Sequence, residues 1–226
     1  MARPLSAVQR WFVDDWQGWY PRGFEWFFRF TPQRTVRAEE TRAVLRFVEA
    51  GLRPADRVLD VGSGTGHYTV LLARRCAGVT AVDASPRMCR YLSDRLRRER
   101  VPGAVVRAGR VPDRLAVTGP FDGLVSIGML NYVEDLAAAV AAMARPLSGS
   151  GWMVFTVPPD TPAGRRYARR ERLVRKRVYV RSDDEVRSAL AEAGYLLHDA
   201  VTAAGVTRVI HALPAKLSGA GTVAAQ

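Results

Sequence analysis

The stretch Val58-Leu59-Asp60-Val61-Gly62-Ser63-Gly64-Thr65-Gly66-His67-Tyr68 decides the fold of this chain. A short apolar run that contains a carboxylate passes into three glycines at alternate positions. This pattern predicts a buried strand that turns sharply into a helix. Glycine suits such a turn because it tolerates positive φ and lets the backbone approach a ligand, while the free N–H groups of the helix point at that ligand. The stretch therefore predicts a nucleotide-binding turn.

Strands and helices alternate around this turn. The predicted elements are a helix from Thr31-Pro32 to Gly51, a strand from Arg57 to Val61, a helix from Gly66 to Cys76, a strand from Val79 to Val82, a helix from Ser85-Pro86 to about Arg100, a strand from Ala104 to Ala108, a strand from Phe121 to Ile127, a helix from Asp135 to Ala144, a strand from Gly151 to Val157, a helix from Ser182 to Ala193, and strands from Tyr195 to Thr202 and from Val206 to Leu213. The alternation predicts an α/β fold with a Rossmann-like, doubly wound sheet. We expect seven strands, mostly parallel, with an antiparallel hairpin at the C-terminal end.

Asp83 ends the second predicted strand, twenty-three residues after Asp60. In a doubly wound sheet this position places a carboxylate beside the glycine turn, where it accepts hydrogen bonds from both ribose hydroxyls of an adenosine. Dinucleotide enzymes use the same acid, but their glycine spacing is GxGxxG, whereas this chain has GxGxG followed by His67. The spacing favours a smaller, zwitterionic nucleoside ligand.

Four motifs resemble, in their order along the chain, the class I S-adenosylmethionine-dependent methyltransferases, particularly the branch that acts on small molecules. The motifs are VLDVGSGTG, AVDASPRM, FDGLVSIGMLNYVED and SDDEVRSALAEAGYLL, and the resemblance covers the chain from Arg37 to Leu213. It implies S-adenosylmethionine as cofactor, S-adenosylhomocysteine as its product, and methyl transfer as the reaction.

The resemblance also implies which residues bind the cofactor. Asp60 and the glycine turn lie around the methionyl part, Asp83 binds the ribose, and the residues after the fourth strand lie near the sulfonium. The full set is Asp60, Gly62, Ser63, Gly64, Thr65, Gly66, Asp83, Ala84, Met88, Gly109, Arg110, Ile127 and Gly128. Ala84 and Met88 are expected to flank the adenine. Similar proteins usually place an acid after the third strand to bind the adenine amino group, whereas Ala108-Gly109-Arg110 stands here, so a backbone carbonyl is expected in that role.

The reaction implied is an in-line displacement at a methyl carbon that a sulfonium already activates. Such a reaction needs alignment and the exclusion of water, and a catalytic acid or base is optional. His67 and Tyr132 are the candidate catalytic groups, with the alternative that His67 only covers the cofactor and Tyr132 only forms a wall. No metal site is expected, because neither the two cysteines, Cys76 and Cys89, nor the three histidines have a metal-ligand spacing.

Half of the chain's twenty aromatic residues lie within the first thirty residues. They are Trp11, Phe12, Trp16, Trp19, Tyr20, Phe24, Trp26, Phe27, Phe28 and Phe30. Two interpretations stay open: this segment packs on the body as core, or it is a lid that lines a small-molecule pocket. The candidate substrate-binding residues are Trp16, Trp19, Tyr20, Phe24, Met129 and Tyr132. The predicted division is an aromatic lid over residues 1–35, a methyltransferase domain over residues 36–214 and a flexible tail over residues 215–226.

The formal net charge of +12 is concentrated in one segment, because nine basic residues stand between Arg165 and Arg181 against Glu171 alone. Such a run is either a solvated helix face or a patch for RNA, an acidic carrier protein or an anionic substrate. The leading prediction is O- or N-methylation of a small aromatic or apolar metabolite. The alternatives are methylation of RNA or of a carrier-bound substrate through the arginine segment, and a nucleotide-binding protein of the same fold that does not methylate.

The sequence predicts a cytoplasmic protein with no membrane partner. No apolar run approaches the roughly eighteen residues that a membrane-spanning helix needs, and the N-terminus lacks the order of charged, apolar and small residues seen in a secretion signal.

Overall fold

The computed structural model describes residues 21–23, 25, 33–115, 117–173 and 177–218. In chain order the helices and strands are α1 (Gln33–Gly51), β1 (Arg57–Val61), α2 (His67–Ala73), β2 (Gly78–Asp83), α3 (Pro86–Arg98), β3 (Ala104–Ala108), β4 (Phe121–Ser126), α4 (Leu136–Ala144), β5 (Leu147–Val157), α5 (Pro162–Leu173), α6 (Asp183–Glu192), β6 (Tyr195–Ala203), β7 (Thr207–Pro214) and α7 (Ala215–Ser218). A 3-10 turn, Leu130–Tyr132, lies between β4 and α4. Pro21, Arg22, Gly23 and Glu25 are helical.

The seven strands form one sheet in the order β3-β2-β1-β4-β5-β7-β6. Strands β1 to β5 pair in parallel, whereas β7 pairs antiparallel with both β5 and β6. The predicted Rossmann-like sheet with its C-terminal antiparallel hairpin is therefore confirmed. The order reverses between β1 and β4, and a ligand crevice forms at such a point, outside the carboxyl ends of the strands.

Neighbouring residues of each central strand point to opposite faces of the sheet, and helices cover both faces. Val58 packs with α1 and α2 on one face, while Leu59 packs with α4 and α6 on the other. Val154 and Phe155 of β5 divide between the same two clusters. Burial on both faces explains why these strands read as nearly continuous apolar runs in the sequence.

Polar side chains cap three of the helices at the residues where the predicted helices begin. Ser85 accepts a hydrogen bond from the N–H of Met88 at the start of α3, at 3.3 Å. Asp135 caps α4 through the N–H of Ala138 at 2.9 Å, and Ser182 caps α6 at 3.1 Å. Each cap satisfies a backbone N–H that has no partner within its helix.

Strand β5 is longer than predicted, because it begins at Leu147 and not at Gly151. Two glycines at 149 and 151 read as strand breakers in the sequence. In the fold, Leu147 pairs with Phe121, and the register shifts between Phe121 and Gly123. A Cβ at Gly151 would lie 3.1 Å from the carbonyl oxygen of Phe121, so glycine permits this irregular pairing.

The two ends of the chain lie largely outside the described residues. The aromatic lid predicted over residues 1–35 is outside them apart from Pro21–Gly23, Glu25 and the start of α1. At the other end, Ala215–Ser218 form the short helix α7 within the predicted tail. Within the described residues, no helix combines the length and apolar character that crossing a membrane requires.

Replacing Gly123 by Ala should lower the free energy of unfolding by about 2 kcal/mol, because the core would be overpacked. A Cβ at this position would lie 2.2 Å from the indole ring of Trp152, which is buried. Urea denaturation measures the effect. Gly149→Ala is the matched control, because its Cβ would meet no atom within 4 Å. Equal midpoints for the two variants would contradict this account of the core.

Candidate active site

The glycine turn after β1 is tied to the end of β2. The N–H groups of Gly62 and Ser63 both donate to the carbonyl oxygen of Val82, at 2.8 and 3.0 Å. Gly62 has φ 76°, and a Cβ there would lie 2.4 Å from the Cβ of Met129. Gly66, with φ 85°, begins α2, and its Cβ would lie 2.0 Å from Leu92. Only glycine fits both positions, since each combines positive φ with a close neighbour.

Asp83 reaches across from the end of β2 to the glycine turn. One carboxylate oxygen accepts the N–H of Gly64 and the other accepts the N–H of Ser85, each at 2.8 Å. Burial raises the pKa of Asp83, while these two N–H donors oppose the rise. A carboxylate oxygen has more than one acceptor position, so the geometry leaves Asp83 able to accept the two hydroxyls of a ribose.

Asp60 is a buried carboxylate beneath the turn. It accepts a hydrogen bond from the hydroxyl of Thr69 on α2 at 2.6 Å. Burial raises the pKa of Asp60 to about 7; the Thr69 hydroxyl opposes this rise, and the negative charge of Asp83 adds to it. A cationic group placed above the turn would favour the ionised form, because opposite charges stabilise one another.

The other predicted cofactor residues lie at the same edge of the sheet. Ala84 and Met88 follow β2, Gly109 and Arg110 follow β3, and Ile127 and Gly128 follow β4. Gly109 donates its N–H to the carbonyl oxygen of Asp83 at 3.0 Å. The fold thus places the thirteen predicted positions at or next to the carboxyl ends of neighbouring parallel strands, which meet at one edge of the sheet.

The crevice has both open space and unused polar atoms. A Cβ built on Gly64 or on Gly128 would meet no atom within 4 Å. The hydroxyls of Ser63 and Ser126 are buried and have no hydrogen-bond partner among the described residues. Such groups cost free energy unless a ligand or water satisfies them. Together with the two carboxylates, they fit a zwitterionic nucleoside with a cationic centre.

His67 belongs to a polar cluster between α1 and α2. Its Nε2 lies 3.1 Å from Thr41 Oγ1, and its ring contacts Tyr68 edge-on. The Tyr68 hydroxyl donates to Glu40 at 3.1 Å. Burial, together with the positive charges of Arg37 and Arg95, lowers the pKa of His67 to about 3. The imidazole is therefore neutral at physiological pH and weakly basic.

Met129 and Tyr132 lie at the mouth of the crevice. Met129 is half-buried against Gly62, whereas Tyr132, in the 3-10 turn after β4, is 48% exposed. The N–H of Gly128, just before them, donates to Thr156 Oγ1 of β5 at 2.8 Å. Trp16, Trp19, Tyr20 and Phe24, the other candidate substrate-binding residues, lie outside the described residues. Within the described part of the chain, no group of three His, Cys, Asp or Glu side chains could hold a metal ion.

Residues 58–151 match the family described as "Methyltransferase domain". Over this region the chain is similar to methyltransferase domains. It is 36% identical to the magnesium-protoporphyrin O-methyltransferase of Rhodobacter capsulatus over 57% of this chain and 58% of that protein. Identity to the ubiquinone biosynthesis O-methyltransferase of Xanthomonas axonopodis pv. citri is 33%, over 61% of this chain and 58% of that protein. The matched region thus spans just over half the length of each relative.

The fold is similar to that of the magnesium protoporphyrin IX methyltransferase of Synechocystis PCC 6803, crystallised with bound S-adenosylhomocysteine. The TM-score is 0.73 at 18% identity, covering 92% of this chain and 98% of that one. The likeness covers more of the chain than the methyltransferase domain match does. It supports the fold over nearly the whole chain.

Arg181 holds together the two segments that border the crevice, a role that the sequence does not reveal. Its side chain is only 6% exposed. The guanidinium donates to Glu185 and to the carbonyl oxygens of Val133 and Glu134. Its backbone N–H donates to the carbonyl oxygen of Pro158 at 2.8 Å. Arg181 thereby connects the loop after β4 to the segment after β5.

Glu25 and Arg95 cover the glycine turn from outside the predicted set. Glu25 accepts a hydrogen bond from the hydroxyl of Thr65, and its carboxylate lies 3.7 Å from the guanidinium of Arg95. Arg95 also donates to the carbonyl oxygen of Thr65 at 3.1 Å. Neither residue stands in a motif, so only their positions in the fold identify them.

Replacing Asp60 by Asn should stabilise the ligand-free protein, and more so as the pH rises. The folded-state pKa of about 7 lies above the ordinary value of 3.8, so the folded protein keeps a proton that the unfolded chain releases. The wild type therefore loses stability from about pH 4 to about pH 7, and the amide does not. Between about pH 5 and about pH 8, urea denaturation should show the advantage of Asp60→Asn growing by about 2 kcal/mol. Asp94→Asn, at an exposed site, is the control. If the stability difference between Asp60→Asn and the wild type did not change with pH, the raised pKa of Asp60 in the folded protein would be refuted.

Replacing Arg181 by Met should loosen the mouth of the crevice while the glycine turn stays intact. The unfolding free energy should fall by about 2 kcal/mol, because carbonyl acceptors lose a buried charged donor. Hydrogen exchange should accelerate at the amides of Asp160 and Tyr179, which bond to the segments that Arg181 connects. Glu185→Gln, which keeps a carbonyl acceptor, is the milder control. Faster exchange at Gly62 and Ser63 in Arg181→Met would show a global effect instead.

Proposed function

We propose that this protein transfers a methyl group from S-adenosylmethionine to a small aromatic or apolar metabolite, at oxygen or nitrogen. The observation that carries the proposal is the joint geometry of the glycine turn and Asp83. The turn leaves open space beside Gly64, and the carboxylate bonded to the Gly64 N–H borders that space. The methyltransferase domain match and the names of the relatives support the reaction class.

The cofactor proposal assigns a part of the ligand to each group in the crevice. Asp83 accepts the two ribose hydroxyls, and Ala84 and Met88 pack against the adenine. The backbone of the glycine turn binds the methionyl part, with Asp60 below it as the nearest buried anion. When bound, the cofactor supplies a methyl group on a positively charged sulfur. No residue of the chain has to activate that methyl group.

Catalysis is then a matter of placement. Thr156 holds Gly128 through the bond from its N–H, so the backbone after β4 is fixed beside the open space at that glycine. Met129 packs on the turn and excludes water from this point. An acceptor aligned here attacks along the axis of the breaking bond, and alignment alone supplies a large part of the rate enhancement.

His67 acts in this proposal as a cover of the cofactor and not as the general base. A base works best when its pKa is near the working pH, whereas the pKa of His67 is about 3. Tyr132, which is half-exposed at the mouth, contacts the acceptor as a wall. An amine acceptor needs no base, and a phenolic acceptor binds in its ionised form.

The acceptor is proposed to be small and largely apolar. Ile127 and Met129 line the crevice near Gly128, and Leu130 is buried behind them. Ten of the first thirty residues are aromatic, a composition that suits an apolar acceptor. The names of the relatives, a magnesium-protoporphyrin O-methyltransferase and a ubiquinone biosynthesis O-methyltransferase, support a small-molecule acceptor.

We infer a cytoplasmic location from the state of the two cysteine thiols. Cys76 and Cys89 are both free, and burial raises the pKa of each thiol. Free thiols are typical of a reducing compartment, whereas disulfides form in oxidising ones.

Replacing Asp83 by Ala should weaken the binding of S-adenosylhomocysteine by about 100-fold, because two charge-assisted hydrogen bonds to the ribose are lost. Isothermal titration calorimetry measures the affinity. Asp94→Ala, at an exposed site of the neighbouring helix α3, should bind like the wild type. Asp83→Asn preserves the shape and should fall between them, which separates lost recognition from misfolding. Failure of the wild type to bind S-adenosylmethionine or S-adenosylhomocysteine, or full affinity in Asp83→Ala, would refute the proposal.

A further inference from the structure

Helix α5 has two chemically different faces. Ala163, Gly164, Tyr167, Ala168 and Glu171 recur at helical spacing and are buried or half-buried. The opposite face is exposed and consists of Arg165, Arg166, Arg169, Arg170, Arg172 and Leu173. Of the five arginines, Arg165 pairs with Asp160 at 2.8 Å. The outward face is therefore a row of guanidinium groups; we call it the arginine face.

This face is unfavourable for the helix itself. Arg166 lies three and four residues before Arg169 and Arg170, and Arg169 lies three residues before Arg172. Like charges at these spacings are neighbours and destabilise a helix. Arg165 and Arg166 also stand near the N-terminus, where the helix dipole disfavours positive charge. A sequence that keeps such local conflicts points to a function for them.

The helix is nevertheless held firmly at its start. Gly164 packs so closely on the segment after β5 that a Cβ would lie 1.9 Å from the carbonyl oxygen of Pro159. The N–H of Gly164 also donates to Thr161 at 3.2 Å. The arginine face thus begins beside the segment that follows β5.

We propose that the arginine face binds an acidic helical face of a partner protein. Charge complementarity carries the choice of partner. Arginines at i, i+3, i+4 and i+6 from Arg166 form a row about 9 Å long at 1.5 Å per residue, and a helix with glutamates at similar spacing presents a matching row. Guanidinium groups bind carboxylates through paired hydrogen bonds. Binding would relieve the repulsion along the row.

Two other polyanions fit the surroundings less well. A lipid surface requires an apolar helix face to insert, yet the less polar face of α5 is turned to the body and Leu173, 84% exposed, is the one large apolar side chain on the arginine face. Single-stranded nucleic acid requires aromatic rings on which bases stack. The nearby Tyr179 ring already has the guanidinium groups of Arg177 and Arg181 within 4.8 and 5.3 Å of its centre.

The test uses the full chain without cofactor or acceptor, so its result is independent of methyl transfer. The main probe is a fluorescent helical peptide of about 20 residues with glutamates along one face. A scrambled peptide of the same composition, single-stranded RNA of about 20 nucleotides, and phosphatidylglycerol–phosphatidylcholine vesicles are the comparison probes. One variant carries R166Q, R169Q, R170Q and R172Q, since glutamine preserves helix propensity. The matched control carries R53Q, R90Q, R98Q and R187Q, all at exposed positions elsewhere, and loses the same net charge.

Fluorescence anisotropy should show the patterned peptide binding the wild type about tenfold more tightly than the scrambled one. The α5 variant should lose this affinity by about tenfold or more, while the control variant changes by less than about twofold. Equal losses in both variants would reduce the effect to net charge and overturn the proposal. The proposal would also be overturned if the patterned peptide did not bind or if the scrambled peptide bound equally well. Tighter binding of RNA or vesicles than of the patterned peptide, lost in the α5 variant, would overturn it too.

Discussion

Three backbone N–H groups tie the glycine turn to the end of β2. Those of Gly62 and Ser63 donate to Val82, and that of Gly64 donates to the carboxylate of Asp83. Because β1 and β2 are neighbours in the sheet, these bonds set the turn at a defined height above its edge. The positions of Met129 above Gly62 and of α2 after Gly66 follow from it. Two of these three bonds join backbone atoms alone, and the third depends on the carboxylate of Asp83.

The same crevice concentrates groups that the ligand-free fold satisfies poorly. Two carboxylates, Asp60 and Asp83, lie close enough for the charge of one to raise the pKa of the other. The buried hydroxyls of Ser63 and Ser126 have no partner among the described residues. Buried polar groups of this kind are destabilising unless they are paired. They lie at the edge of the sheet where the sequence predicts the cofactor site, beside the open space at Gly64 and Gly128.

The sequence predicted the sheet and the glycine turn because their signals are local. Apolar strands buried on both faces and glycines at alternate positions are visible within about ten residues, and Asp83 follows at the end of the next strand. The extension of β5 was missed because Gly149 and Gly151 read as breakers, while the pairing that stabilises it comes from Phe121. Long-range pairing of this kind has no local signature.

Arg181 was missed for a different reason. In the sequence it is one of nine basic residues between positions 165 and 181, and a run of like charges predicts exposure. Its burial depends on carbonyl groups of Val133 and Glu134, which stand almost fifty residues earlier in the chain. Thr156, Glu25 and Arg95 likewise gain their places at the crevice only through the fold. The run of basic residues correctly indicated an exposed charged face on α5, but it gave no sign that Arg181 is buried.

The segment that carries α5 leaves the body at Asp160 and is joined to it again at Arg181, beside the point where it left. The N–H of Asp160 donates to the carbonyl oxygen of Arg181, and Pro159 and Arg181 form a parallel bridge. Chain length between two such neighbouring anchors is free to vary without disturbing the strands on either side. Evolution can therefore lengthen, shorten or replace the segment between Asp160 and Arg181 while the sheet and the glycine turn stay unchanged. Divergence among proteins of this architecture is expected to concentrate there, with the anchors kept and the content replaced.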